Sequence, residues 1–127
     1  MIPDDQVDIL EKNGFANVAT IGPDGEPQNN PVWFAWDGET IAISQTPDKQ
    51  KFRNLERDPR VALSILDPDN PYRYLEVRGE VAEVEPDPDY AFIHSLANRY
   101  MGQDYPYLQP GEERVIVKIR PLHTTSL

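Results

Sequence analysis

Two Asp-Gly pairs, at residues 24–25 and 37–38, restrict the possible folds of this chain more than any other feature. Asp-Gly between apolar segments is typical of tight turns that join antiparallel strands. We therefore predict a three-stranded antiparallel meander, with strands over 15–22, 28–36 and 40–45. Parallel neighbours would each need a crossover connection of about a dozen residues or more, and the spacing leaves no room for one.

The rest of the chain adds strands and short helices in alternation. Apolar residues at every second position predict three further strands, and turn or capping residues bound three helical segments. Gly79 lies inside the longest strand and predicts a bulge or bend there. We predict a single mainly β domain over 1–127, a six-stranded antiparallel barrel with small helices. The additional strands are expected over 61–67, 72–85 and 114–122, and the helices over 3–14, 46–58 and 87–102.

Charge and composition exclude several classes of function. The 127 residues carry a formal net charge of −10, which argues against a nucleic-acid partner. No cysteine is present, so thiol chemistry and disulfides are excluded. Neither a signal peptide nor a membrane span is predicted, and we expect a cytoplasmic protein. No metal site is predicted, because His94 and His123 lack partners at ligand spacing.

One basic segment stands out in this acidic chain. Residues 44–60 contain five basic and three acidic residues. We predict that Thr46 is the N-cap of a helix and that Pro47 is its first residue. A helix N-terminus flanked by lysines is a natural site for a phosphate.

The faces of this helix can be assigned at 100° per residue. Phe52 and Leu55 form the buried stripe, while Lys51 and Asn54 flank that stripe on the side nearer the protein body. A second polar face is formed by Lys49, Arg53 and Arg57. From spacing alone, a solvated charged face and an anion-binding site are both consistent with this pattern.

Aromatic residues are concentrated in the second predicted strand. Trp33, Phe34 and Trp36 follow Pro31, which cannot donate a ladder hydrogen bond and therefore predicts an interruption or a sheet edge. Alternate members of this run are expected to fill the barrel core. One or two of the rings are candidates for contact with a planar ligand.

At these residues the chain resembles a known family, the pyridoxamine-phosphate-oxidase-like flavin and deazaflavin oxidoreductases with a split β-barrel. The most specific part is K-x-R-N-L-x-R-D-P-R-V, residues 51–61, and Y-L-E-V-R-G-E-V at 74–81 and R-V-I-V-K-I-R-P at 114–121 also fit. Within the family the chain is most similar to the group that uses the deazaflavin coenzyme F420. The resemblance implies an FMN-binding type of split barrel, assembled as a homodimer with cofactor sites at the subunit interface.

The resemblance also implies the cofactor-binding residues. The phosphate would lie at the end of the third strand, including Ser44, and at the start of the second helix. Arg53 would hold the acidic oligoglutamate tail, and Arg78 would reach in from the partner subunit. The ring would lie along the second strand. The complete implied set is Asn30, Pro31, Val32, Trp33, Ser44, Thr46, Lys49, Lys51, Arg53, Asn54 and Arg78.

The activity implied by the resemblance is hydride transfer from reduced F420 to an activated double bond of a small organic substrate. No catalytic side chain can be named, and Tyr100, Tyr105 and Tyr107 are expected near the pocket mouth mainly as packing residues. Two alternatives stay open: an FMN-dependent oxidoreductase of the same fold, and a non-catalytic protein that binds a flavin or deazaflavin. The ending IRPLHTTSL lacks the Trp-and-Arg tail of true pyridoxamine-phosphate oxidases, which disfavours that particular activity.

Overall fold

A computed structural model describes residues 2–126 of the chain. Strands predominate, and the helices are short connections between them. The elements in chain order are α1 (Val7–Glu11), β1 (Ala16–Ile21), β2 (Pro27–Val32), β3 (Ala35–Trp36), β4 (Ile41–Gln45), α2 (Gln50–Arg57), β5 (Arg60–Asp67), β6 (Asn70–Pro86), α3 (Ala91–Met101) and β7 (Val115–Ser126).

The strands form one seven-stranded sheet in the order β2-β1-β5-β6-β7-β4-β3. Every neighbouring pair is antiparallel. The outermost strands, β2 and β3, are consecutive in the chain and are separated only by residues 33 and 34. The sheet therefore curls round until its two ends meet, which confirms the predicted antiparallel barrel with small helices.

The strand count corrects the prediction, because the strand expected over 28–36 is in fact two strands. Its first half pairs with β1 and its second half pairs with β4, so the first three predicted strands do not form a simple meander. The break falls at Phe34, whose side chain is fully buried. Pro31 lies just before the break on an edge strand, where its missing N–H costs no ladder hydrogen bond.

The inner face of the curled sheet forms the core. Alternate residues along the strands are buried, as period-two packing requires. Gly79 lies at a shift of register between β6 and β7, which confirms the predicted bend. A Cβ atom at Gly79 would lie 2.2 Å from the carbonyl oxygen of Arg120, so only glycine allows the strands to approach this closely. The largest fully buried side chains include Phe34, Ile9, Leu10, Ile41, Ile43, Leu63, Ile65 and Leu75.

The second helix begins later than predicted. The carbonyl of Thr46 accepts a hydrogen bond from the backbone N–H of Lys49, so residues 46–49 form a turn and Lys49 is the N-cap. The prediction that Thr46 caps the helix is therefore wrong. Phe52 and Leu55 are buried as predicted. Thr46-Pro47 extends the path from β4 and places the helix N-terminus beside the end of that strand.

The third helix combines a predicted end with an unexpected start. Gly102 ends the helix in the left-handed conformation, as expected. The N-cap is Tyr90 rather than Asp87. The Asp87 carboxylate nevertheless accepts hydrogen bonds from the backbone N–H groups of Phe92 and Ile93, so it satisfies donors of the first turn from outside the helix. No helix in the described part of the chain is long and apolar enough to cross a membrane.

Candidate functional site

A continuous groove lies between β2, β4, α2 and the loop that precedes β7. It consists of an apolar cavity of about 410 Å³ and a polar cavity of about 520 Å³. Three residues line both cavities, namely Ser44, Tyr105 and Arg114. The groove therefore has an apolar end and a polar end that meet at these residues.

The apolar end is formed by β2 and one face of α3. Pro31, Val32 and Trp33 line it from the strand, and Ile93 and Leu96 line it from the helix. Pro31 has no N–H, and Val32 and Trp33 lie where β2 ends at the bend. The sequence therefore places an apolar wall where the strand leaves the sheet, a suitable surface for a planar ring.

Trp33 is held by aromatic contacts on two sides. Its ring is stacked on that of Tyr100 and meets the ring of Tyr105 edge-on, with centroid distances of 5.3 and 6.1 Å. The Tyr100 hydroxyl donates to the carbonyl of Gly14 at 2.6 Å and accepts from the N–H of Phe34 at 3.3 Å. Burial raises the pKa of Tyr100, so its hydroxyl stays protonated at neutral pH.

The polar end is cationic at Lys51. Its ammonium is half-buried, and desolvation lowers its pKa below the usual 10.5. No carboxylate within residues 2–126 forms an ion pair with Lys51 or Lys49. An ammonium that loses hydration without gaining a counter-charge is unfavourable by itself, so this position suits an anionic ligand. Thr46 and Lys49 line the same cavity.

Arg114 joins the two ends of the groove. Its Nε donates to Glu112 at 2.6 Å, its Nη1 donates to the Ser44 hydroxyl at 3.1 Å, and its guanidinium lies 4.8 Å from the centroid of the Tyr105 ring. The ion pair neutralises Glu112, the only carboxylate among the described residues that line the polar cavity. Sequence reasoning did not select Arg114. Its position at the start of a predicted strand, in an acidic chain, was the available signal.

The structure brings together most of the residues predicted to bind a cofactor. Eight of them line the groove, at the apolar end, the polar end or their junction: Asn30, Pro31, Val32, Trp33, Ser44, Thr46, Lys49 and Lys51. Residues that were not selected also line the polar end, namely Gln28, Gln45, Gln50, Tyr105, Glu112 and Arg114. The loop over 102–112 was expected to shape the pocket and supplies two of them.

Three predicted residues do not line this groove. Asn54 is fully buried behind the wall and donates to Thr20 and Gln28, so the predicted direct contact with a ligand is corrected. Arg53 is exposed and donates to the carbonyl of Asp48 and to Gln50. Arg78 lies elsewhere, beside a separate apolar cleft of about 330 Å³, and forms an ion pair with Glu76.

The donor set of the groove fits a phosphorylated flavin or deazaflavin. The polar end offers two ammonium groups without carboxylate partners, and lysine is a common ligand of phosphate. The adjoining apolar end is bordered by the stacked ring of Trp33, with Pro31 and Val32 beside it. A planar ring joined to a phosphate by a short chain would occupy both ends together.

A curled antiparallel sheet with this groove defines a split-barrel protein of the flavin- or deazaflavin-binding kind. The sequence profile of one family, described as pyridoxamine 5'-phosphate oxidase, matches residues 2–127. The chain belongs to this family, which confirms the resemblance drawn from its motifs.

Two solved structures and one curated protein are similar to the chain. A structure described as an F420 reductase is 44% identical, with a TM-score of 0.91 and 98% of each chain covered. A conserved hypothetical protein from Mycobacterium tuberculosis is 29% identical, with a TM-score of 0.78 over 99% of this chain and 84% of that one.

The curated relative is 5a,11a-dehydrotetracycline/5a,11a-dehydrooxytetracycline reductase from Streptomyces rimosus. It is 36% identical over 66 residues, which make up 49% of this chain and 46% of that protein. The match thus spans about half the length of the curated relative. Together, the family and these relatives support the general class predicted from sequence, an oxidoreductase that uses a flavin or deazaflavin.

Proposed function

We propose that the protein is an F420-dependent oxidoreductase that reduces an activated double bond of a small organic substrate. The observation that carries the proposal is the half-buried ammonium of Lys51, which has no carboxylate partner and lies in a groove that continues into an apolar wall. The 44% identity to an F420 reductase, over 98% of both chains, supports F420 as the cofactor.

The chain's own residues divide the work of binding. Lys51, Lys49 and Thr46 hold the phosphate at the polar end, where the ammonium charges offset its negative charge. Pro31, Val32 and Trp33 contact the ring and exclude water from one side of it. Arg114 keeps Glu112 neutralised, so no free carboxylate opposes the anion.

When bound in this groove, reduced F420 supplies a hydride. The protein's contribution is orientation: a flat wall on one side of the ring leaves the other side open to the substrate. The described side chains along the apolar end are uncharged except for Arg114 at the junction. We therefore propose that solvent delivers the proton that completes the reduction.

We propose further that the protein is a homodimer, as the resemblance implies. Arg78 lies next to Arg60, Leu122 and His123 beside the second cleft, on a face distinct from its own groove. In the proposed dimer, Arg78 serves the partner subunit's site. Light scattering after size exclusion tests this directly: a mass of about one chain, 14.5 kDa, contradicts the proposal.

A second candidate is an FMN-dependent enzyme, and the family description favours a flavin. FMN also joins a planar ring to a phosphate, so the groove fits both. Fluorescence titrations with F420 and with FMN distinguish the two. The proposal expects binding of F420 at micromolar or better affinity, with weaker binding of FMN.

Turnover provides the second part of the test. Reduced F420 should be oxidised, as followed by the return of its absorbance, only when an acceptor with an activated double bond is added. Tight binding without oxidation of the cofactor by any acceptor identifies a non-catalytic binding protein. Lys51→Ala should weaken F420 binding by about 1.5–3 kcal/mol, the range for a hydrogen bond to a charged group. Unchanged binding in this variant contradicts the phosphate assignment.

A further inference from the structure

A chain of side-chain hydrogen bonds leads from the exposed surface of α2 to the wall of the groove. Arg53 Nη2 donates to Gln50 Oε1 at 2.9 Å, and Gln50 Nε2 donates to Asn54 Oδ1 at 2.7 Å. Asn54 Nδ2 then donates to Gln28 Oε1 at 3.0 Å. Finally, Gln28 Nε2 donates to Asn30 Oδ1 at 3.0 Å. We call these five residues the amide relay.

The relay has a defined direction because it starts at a guanidinium. Arginine has donors and no acceptor, so it requires the oxygen of Gln50 to face it. Each primary amide carries its acceptor on oxygen and its donors on nitrogen. Once the oxygen of Gln50 faces Arg53, its nitrogen faces Asn54, and the same orientation is passed along the relay.

Asn54 transmits this orientation through the protein interior. It is 0% exposed, so water cannot satisfy its amide, and a reversed amide would set oxygen against oxygen at Gln28. Its remaining contact is a donated hydrogen bond to the Thr20 hydroxyl at 3.0 Å. A hydroxyl can donate or accept, so Thr20 imposes no direction of its own.

The last member of the relay faces the ligand. Asn30 lines the polar cavity, and its oxygen is occupied by the bond from Gln28. Its amide nitrogen is therefore the group left for a ligand. We propose that the amide relay holds Asn30 as a hydrogen-bond donor to an oxygen of the bound phosphate. Gln28, Gln50, Arg53 and Asn54 are then positioning residues, and Asn30 is the binding residue.

This inference deepens the proposed function and rests on it for the identity of the ligand. It also assigns a different role to two residues. Arg53 and Asn54 are remote from the groove in this chain and act on binding through Asn30. Lysine charges attract any anion, whereas a directed amide also specifies where an acceptor oxygen must lie.

The variant Gln28→Glu tests the relay by reversing its last step. A carboxylate accepts on both oxygens, so it would accept from Asn54 and also from the nitrogen of Asn30. Asn30 would then turn its oxygen toward the groove, where it would repel the phosphate. We expect F420 to bind at least about 10-fold more weakly, the effect of losing a charged hydrogen bond.

Two matched variants separate direction from charge. Asn29→Asp adds the same charge on the exposed face of the same strand and should change affinity by less than about threefold, because solvent screens it. Gln28→Met breaks the relay without reversing it and should cause a smaller loss than Gln28→Glu. Equal losses in Gln28→Glu and Asn29→Asp overturn the inference, and so does wild-type affinity in Gln28→Glu.

A measurement on the cofactor-free protein separates this inference from the proposed function. The side-chain amide protons of Asn30 can be followed by NMR in ¹⁵N-asparagine-labelled protein, with Asn30→Ala to assign the signal. In the wild type these protons face the groove and should exchange rapidly with water. In Gln28→Glu they are donated to Glu and should exchange several-fold more slowly. Equal exchange rates overturn the relay, whereas failure of the wild type to bind F420 overturns only the proposed function.

Discussion

The ring of Tyr100 lies against that of Trp33, with centroids 5.3 Å apart and planes inclined by 9°. This contact connects α3 to the apolar wall of the groove, because Trp33 lines the groove and Tyr100 does not. Arg99, the preceding residue, donates to the carbonyl of Lys12 at 2.6 Å and to Asn13 at 2.7 Å. The helix is thereby anchored to the N-terminal segment, and the stacked pair inherits that rigidity.

We predict that Tyr100→Phe and Tyr100→Leu separate stability from binding. Tyr100→Phe keeps the stacked ring and loses the hydrogen bonds of the hydroxyl, so unfolding in urea should show a loss of about 0.5–1.5 kcal/mol with nearly unchanged F420 affinity. Tyr100→Leu removes the ring that supports Trp33 and should weaken binding several-fold as well. Equal affinities in the two variants would show that the stacking does not position Trp33.

The Arg114–Glu112 pair provides a second prediction. Both side chains are largely buried, with exposures of 11% and 16%. Arg114→Met leaves the Glu112 carboxylate unpaired beside the anion, so F420 binding should weaken by about 2–5 kcal/mol. Adding Glu112→Gln removes that repulsion and should recover part of the loss. A double-mutant cycle measured by fluorescence titration gives the coupling, and strictly additive losses would contradict it.

The parts of the fold that depend on local chemistry could be predicted from sequence. Asp-Gly turns and alternating apolar residues indicated the antiparallel strands, and the spacing of Phe52 and Leu55 indicated the buried face of α2. The start of that helix could not be predicted in this way. Pro47 suits the first residue of a helix and the second residue of a turn equally well, and the tertiary path from β4 selects the turn.

The site required long-range information that periodicity does not carry. Arg114 follows the 46–51 segment by more than sixty residues, yet β7 pairs with β4 so that Val115 lies opposite Gln45. That register places the guanidinium beside Ser44. The role of Asn54 was misjudged for a related reason. Helical geometry placed it toward the protein body, but only the fold shows that Thr20 and Gln28 enclose it.

The bend at Gly79 leads to a prediction about stability. A Cβ atom there would lie 2.2 Å from a backbone oxygen of Arg120, so Gly79→Ala forces the strands apart and should cost about 3 kcal/mol. Gly111→Ala serves as a comparison, because Gly111 has a φ of 72° and open space around it. That change carries only the backbone penalty of about 1–2 kcal/mol. Urea unfolding that ranks the two variants the other way would contradict the close approach of the strands.

The desolvated ammonium of Lys51 predicts a particular pH dependence of binding. Burial lowers its pKa from the usual 10.5 in the free protein, and a bound phosphate raises the pKa again because it favours the charged form. F420 affinity should therefore be constant at neutral pH and fall as the pH rises through the pKa of the free protein. Within that window the loss approaches about tenfold per pH unit. Titrations by fluorescence from pH 7 upward measure this slope.

Two variants decide whether Lys51 is the group that titrates. Lys51→Ala should bind more weakly at pH 7 and should lose most of the slope in the same pH window. Lys118→Ala is the matched control, because the Lys118 ammonium is paired with Glu85 at 3.1 Å and does not line the groove. It should keep both the affinity and the slope of the wild type. A full slope in Lys51→Ala would assign the titration to another group and would remove the case for a phosphate at this ammonium.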